Sequence, residues 1–108
     1  MTTVRLIPMN EGLLFECSGH ADYAEKGKDI VCAGISALCI ALTESVEELA
    51  DEKETELVGL YTADGFLSVE VHFTDDTYSR TKTLAVFNTA MNGLRAIEAL
   101  YPEHLLIA

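Results

Sequence analysis

Gly19 to Leu38 reads GHADYAEKGKDIVCAGISAL. The stretch closes a strand-like run, crosses a loop and opens a helix, so its reading fixes how the rest of the chain is arranged. His20 falls just past the strand and Cys32 near the start of the helix, with eleven residues between them. Asp29 precedes an apolar run and is a good N-cap residue. With Asp29 as cap, Cys32 takes the third helical position, where its amide has no intrahelical partner. A thiol there sits in the positive end of the helix dipole, which favours thiolate. A histidine brought near by chain reversal can take the proton. That is the minimal kit of a cysteine nucleophile. Asp29 could also orient His20, and Ser36, one turn after Cys32, shares its face.

Working outward, Thr3 to Met9 reads as a short strand and Asn10-Glu11-Gly12 as a turn. Leu13 to Ser18 alternates as a second strand, with Leu13, Phe15 and Cys17 on one face. Cys17 therefore reads as a packed core residue. Ala21 to Lys28 lacks strong periodicity and reads as a mobile loop hinged at Gly19 and Gly27. Ile30 to Leu49 carries Val31, Ile35, Leu38, Leu42, Val46 and Leu49 at helical spacing. Cys39 flanks that stripe as a core cysteine. Glu56 to Tyr61, a turn at Ala63-Asp64-Gly65, and Phe66 to Phe73 read as a second hairpin. His72 faces outward there. Asp75-Asp76-Thr77 caps a helix from Thr77 to Leu100, with a wide apolar face from Val86 to Tyr101. Glu103 to Ala108 is a last short strand. The order ββαββαβ predicts an α+β fold: a mostly antiparallel sheet with two helices packed on one face. One domain is expected to span residues 1–108.

Composition narrows the chemistry. Hydrophobic residues make up 49%, enough for a real core. Eighteen Asp and Glu stand against seven Lys and Arg, a net charge of −11. Such a surface repels nucleic acid and anionic membranes and attracts basic partners. The N-terminus reads as a strand and not as a secretory leader. The uncharged run Ile30 to Thr43 is too short to span a bilayer. Three cysteines, an odd number, fit reduced thiols in a cytoplasm. Cys17, His20 and Cys32 are too few for a structural zinc site, and strand alternation separates the first two, so no metal or other cofactor is expected. His72 and His104 have no expected role. Beside the enzymatic reading stands a non-enzymatic acidic module that grips a basic protein, with Cys32 as a buried helix cysteine.

The central stretch resembles a known family, the ribosomal-processing cysteine proteases called Prp. The likeness lies in Gly19-His20-Ala21, then Gly27-Lys28-Asp29-Ile30-Val31-Cys32-Ala33, then Ser36, with the His-to-Cys interval matched. The resemblance implies a compact homodimeric α+β domain, with Cys32 as nucleophile and His20 as base. The loop Ala21 to Lys28 would move over the substrate. It further implies removal of the N-terminal extension of a large-subunit ribosomal protein of the L-twenty-seven class, after a hydrophobic position that is usually phenylalanine. A basic ribosomal substrate suits the acidic surface. The apolar face of the second helix is a further warrant for the dimer.

Overall fold

The computed structural model describes residues 1–108. Strand β1 (Thr2–Pro8) turns at Asn10 and Glu11 into β2 (Gly12–Gly19). A loop leads to helix α1 (Ile30–Asp51), followed by the hairpin of β3 (Thr55–Ala63) and β4 (Phe66–Phe73). Helix α2 (Thr77–Leu100) and the short β5 (Leu105–Ile107) complete the order ββαββαβ. The five strands form one sheet in the order β3-β4-β2-β1-β5. Every pairing is antiparallel except the parallel pair of β1 with β5.

Alternation explains which face is buried. Val4 is opposite Cys17, Leu13 opposite Val71 and Phe15 opposite Val69, so these residues share one side of the sheet. They join Val31, Ile35, Leu42 and Val46 of α1 and Phe87, Ala90, Met91 and Leu94 of α2 in a single core. Both helices therefore lie on that one face. Each helix starts at its aspartate: Asp29 Oδ1 accepts from the Cys32 amide at 2.8 Å, and Asp76 Oδ2 accepts from the Ser79 amide at 2.9 Å. His72 lies on the opposite face of the sheet and bonds Glu70 Oε2 at 3.2 Å.

Element boundaries differ from the sequence reading by one or two residues, most in the later strands. β3 runs from Thr55 to Ala63, longer than Glu56 to Tyr61, and β5 is shorter than Glu103 to Ala108. Inside β3 the register shifts between Leu57 and Gly59, so Val58 is an extra residue. Such a bulge reverses which face the following residues present. Thr62 consequently pairs with Leu67, and Tyr61 with Ser68 on the helix-free face. Helix α1 spans 22 residues, and by length and composition it is long and apolar enough to cross a membrane. A buried core helix passes the same test, and the uncharged run Ile30 to Thr43 within α1 is shorter than a bilayer needs. Its apolar stripe, from Val31 to Leu49, is buried in this fold.

Where α2 begins, four polar groups meet. The Ser79 hydroxyl bonds Glu54 Oε2 at 2.5 Å and Asp76 Oδ2 at 2.9 Å, and Lys82 Nζ reaches Glu54 Oε1 at 3.1 Å. Bonds from Ser79 and Lys82 hold the Glu54 carboxyl below its usual range. The Ser79 amide and hydroxyl do the same for Asp76. A carboxyl depressed by folding adds stability that is complete above its unfolded pKa and is lost as pH falls towards the folded one. The expected window is therefore below about pH 4. Asp76→Asn is expected to melt below wild type at neutral pH and to lose less on acidification. Thermal melts across that window check this, and a melting difference independent of pH would overturn it.

Candidate active site

Helix α1 begins at Ile30 because Asp29, in an extended conformation, turns its carboxylate onto the first free amides. Oδ1 takes the Cys32 amide, while Oδ2 accepts from the amides of Tyr23 at 2.9 Å and Ala24 at 3.3 Å. These bonds, that from Cys32 foremost, hold the Asp29 carboxyl below the usual carboxylate range. Both oxygens are thus engaged with backbone, and Asp29 makes no bond to His20. The carboxylate caps the helix and ties the loop to it. The Cys32 amide, free of an intrahelical partner as its position implies, is occupied by this cap.

The loop expected to be held by little is anchored through its first half. Ala21 is buried at 1% exposure. Its carbonyl accepts a bond from His104 Nδ1 at 2.8 Å. The Tyr23 ring meets Tyr101 and His104 edge-on, at centroid distances of 5.4 and 5.3 Å. Glu25 to Lys28 is exposed, and Gly27 there has φ 89° with open space around its Cα. Glu25 to Lys28 is held only within itself, by the Lys28 amide on the Glu25 carbonyl at 3.0 Å and the Lys28–Glu25 ion pair.

His20 is exposed at the end of β2, where its ring passes over the turn of the second hairpin. A Cβ on Gly65 would stand 2.8 Å from His20 Nε2, and Gly65 has φ 71°. The positive φ of the turn favours glycine at position 65, and the missing Cβ leaves room for the His20 ring where it lies. Gly19, with φ 95°, donates its amide to the Gly65 carbonyl at 2.8 Å and holds the two segments together.

Two cavities meet at His20, Cys32, Ser36 and Asp64. One, of about 380 Å³, follows α1 from Cys32 past Cys39 and Ile40 to Glu44, with Thr62, Phe66 and Leu67 opposite. The other, of about 550 Å³, runs under the loop past Asp22, Gly27 and Lys28 to Ile30. Cys32 is half-buried at their junction. No hydrogen bond joins its thiol to His20. Ser36 is exposed one turn below and bonds neither Cys32 nor the helix backbone. A segment lying through both cavities would pass the thiol and the imidazole together.

The other thiols are different. Cys17 and Cys39 both lie in the wall of the first cavity, where their side chains interact. The interaction with Cys17, with burial adding to it, pushes the Cys39 thiol far up, and the same interaction pulls Cys17 down. Cys17, His20 and Cys32 all border this cavity without converging into a cluster that would hold a metal ion. Three contributors escaped the sequence reading. Gly65 showed only as a turn residue, Tyr23 as part of an unanchored loop, and His104 as a residue without a role.

The family model for "Cysteine protease Prp" matches residues 1–106. A ribosomal processing cysteine protease Prp from Bacillus subtilis is 30% identical over 99 residues, covering 91% of this chain and 87% of that protein. The corresponding protein of Mycoplasma genitalium is 33% identical over 93 residues, covering 82% and 80%. Among solved structures, the essential ribosomal processing protease Prp from S. aureus with a covalently linked product peptide superposes with a TM-score of 0.76 at 26% identity, covering 99% of this chain and 97% of that one. The same enzyme with a substrate peptide gives 0.68 at 27% identity, with coverage of 100% and 98%.

Asp29→Asn keeps an acceptor for the Cys32 amide and replaces the other oxygen with a donor. It is expected to melt closer to wild type than Asp29→Ala does. Both variants should expose the Tyr23 and Ala24 amides, which hydrogen exchange should find protected in the wild type, unlike those of Lys26 and Gly27. Equal exchange from Tyr23 to Gly27 in the wild type would refute the clamp.

Proposed function

This chain belongs to the cysteine protease Prp family, and from that premise we propose that Cys32 is the nucleophile and His20 the base of a ribosomal-processing peptidase. Family membership replaces the binding-only alternative. The observation that carries the assignment of residues is the meeting of two cavities at one half-buried thiol with one imidazole on its rim. The covalently linked product peptide of the S. aureus relative accords with a nucleophilic route.

In this mechanism His20 takes the Cys32 proton and Sγ attacks the carbonyl carbon of the scissile bond. The carbonyl electrons move onto oxygen, where first-turn amides of α1 other than the capped Cys32 amide stabilise them. The imidazolium then gives its proton to the departing amine, leaving a thioester. Water, deprotonated by His20, attacks the thioester carbonyl; the C–S bond breaks, the peptide leaves with a new carboxyl terminus, and the imidazolium returns its proton to Sγ. The exposed half of the loop, Glu25 to Lys28, closes over the bound segment and brings the imidazole to the sulfur. Ser36 supports the site beneath Cys32.

The substrate we propose is the N-terminal extension of a basic large-subunit ribosomal protein of the L-twenty-seven class. The net charge of −11 favours such a partner. Ile35, Ile40, Phe66 and Leu67 beside the first cavity suit a hydrophobic residue at the cleavage position. We place the reaction in the cytoplasm, where Cys17, Cys32 and Cys39, all unpaired by disulfides, stay reduced. Neither a nucleic acid nor a membrane is a proposed partner, and one domain, residues 1–108, carries the activity. The enzyme acts as a homodimer in this reading. The central apolar face of α2 is used up in the core, so that proposal rests on the family resemblance alone.

Incubation with the N-terminal peptide of the host's own ribosomal protein tests the assignment. Cys32→Ala is expected to abolish cleavage with its fold retained, and His20→Ala to slow it by about a hundredfold or more. A chelator should change nothing. Full activity in either folded variant would sink the proposal. Sedimentation at micromolar concentration should find a dimer, and a clean monomer would remove that part.

A further inference from the structure

We propose that His104 is a positioning residue for His20. The proposal rests on the assignment of His20 as base. The imidazole of His20 is exposed and has no hydrogen-bond partner: of the carboxylates that border the cavities with it, Asp29 spends both oxygens on amides, and neither Asp22 nor Asp64 bonds the ring. Nothing grips the ring itself. Its place is therefore set by the backbone on either side of it. On the N-terminal side the Gly19 amide is bound to the Gly65 carbonyl at 2.8 Å. On the C-terminal side the tether is the bond from His104 Nδ1 to the Ala21 carbonyl, 83 residues away in the chain.

A carbonyl oxygen only accepts, so Nδ1 of His104 carries the proton in this bond. That holds for the neutral Nδ1–H tautomer and for the imidazolium alike. The donor is itself fixed. The His104 amide donates to the Tyr101 carbonyl at 3.0 Å, and the His104 carbonyl accepts from the Thr2 amide at 3.0 Å. Tyr23 packs edge-on against its ring. The tether matters because the chain turns sharply directly after Ala21. Asp22 has φ 54°, in the left-handed region that a residue with a side chain adopts only where its surroundings hold it. Release of the Ala21 carbonyl frees that turn to relax, and His20 moves with it. An orienting group usually bonds the base directly. Here it acts through the peptide that follows the base.

The test separates bonding from packing and uses a readout independent of any peptide substrate. His104→Phe keeps a ring against Tyr23 and removes the donor. His104→Asn keeps a donor near the Nδ1 position and removes the ring. The rate of Cys32 alkylation by iodoacetamide, read by peptide mapping, reports how well His20 supports the thiolate; kcat and KM for the ribosomal peptide report cleavage. For His104→Phe, a loss of about tenfold in kcat and in alkylation rate is expected, the size of one lost hydrogen bond, with KM within about twofold. For His104→Asn, both rates should return to within about threefold of wild type. Wild-type rates in His104→Phe would overturn the proposal. So would equal losses in the two variants, which would make the residue one of packing alone. His20→Ala is the reference: if it alkylates as fast as wild type, the base assignment fails and takes this proposal with it. If it is slow while His104→Phe is fast, only the positioning role fails.

Discussion

The Asp29 carboxylate is the constraint on which the site depends. Three amides, those of Cys32, Tyr23 and Ala24, converge on its two oxygens. One of these bonds starts a helix and the other two fold the preceding loop back onto that start. The reach from His20 to Cys32 is thereby shortened. Without the carboxylate, two exposed loop amides would look to water and the N-terminal turn would fray. A caps-only account of Asp29 would miss the second oxygen, and an account of it as the partner of His20 would ask for a third bond that the geometry does not supply.

That clamp works because the sheet brings the other half of the site to the same place. β2 pairs with β4, so the end of β2 at Gly19 stands beside the turn at Asp64 and Gly65. His20 leaves β2 over that turn while α1 starts from across the core. The bulge at Val58 then determines what faces α1 along the first cavity, since it puts Thr62 in register with Leu67. The walls of the cavity are therefore products of strand pairing, and its floor, with Cys39 and Ile40, is one face of a helix whose next face is core.

Much of this was legible in the sequence, for a physical reason. Strand alternation at Leu13, Phe15 and Cys17 and helical spacing from Val31 to Leu49 are local patterns with a single way to bury their apolar side. Asp29 and Asp76 were readable because capping acts over three residues. The His20 and Cys32 pair stood out by type and spacing, and its geometry follows from the loop between them. What escaped is non-local. Asp29 Oδ2 turning back to Tyr23, the Gly65 hydrogen in place of a Cβ under His20, and His104 on Ala21 each join segments with no shared periodicity. The loop looked unanchored because its anchors are a tyrosine against a C-terminal turn and a carboxylate already assigned to a cap. The bulge at Val58 likewise breaks a period that gave no sign of breaking.

The net charge presents the last problem. A surface at −11 draws a basic segment towards the protein, yet the same sign opposes a thiolate within it. Distance resolves the two demands. Charges on an exposed surface lose their influence over roughly 10 Å at ordinary ionic strength. The acidic end of α1, with Glu47, Glu48 and Asp51 exposed, is more than four helical turns from Cys32, or over 20 Å at about 1.5 Å per residue. Near the thiol the balance is different. The amides of the helix start lie under it, and Lys26 and Lys28, two of only seven cations in the chain, stand in the loop that borders the second cavity. Lys28 shares its charge with Glu25 at 3.0 Å, and Lys26 has no such partner. The long-range field is thus negative for attraction, while the short-range field at Cys32 is set by amide dipoles, two lysines and the carboxylates of Asp22, Asp64 and the clamped Asp29. Asp22 and Asp64 line the same cavity, but only the Asp29 carboxylate is bonded to the Cys32 amide. Three amides, one of them Cys32's own, offset its charge where it would cost most.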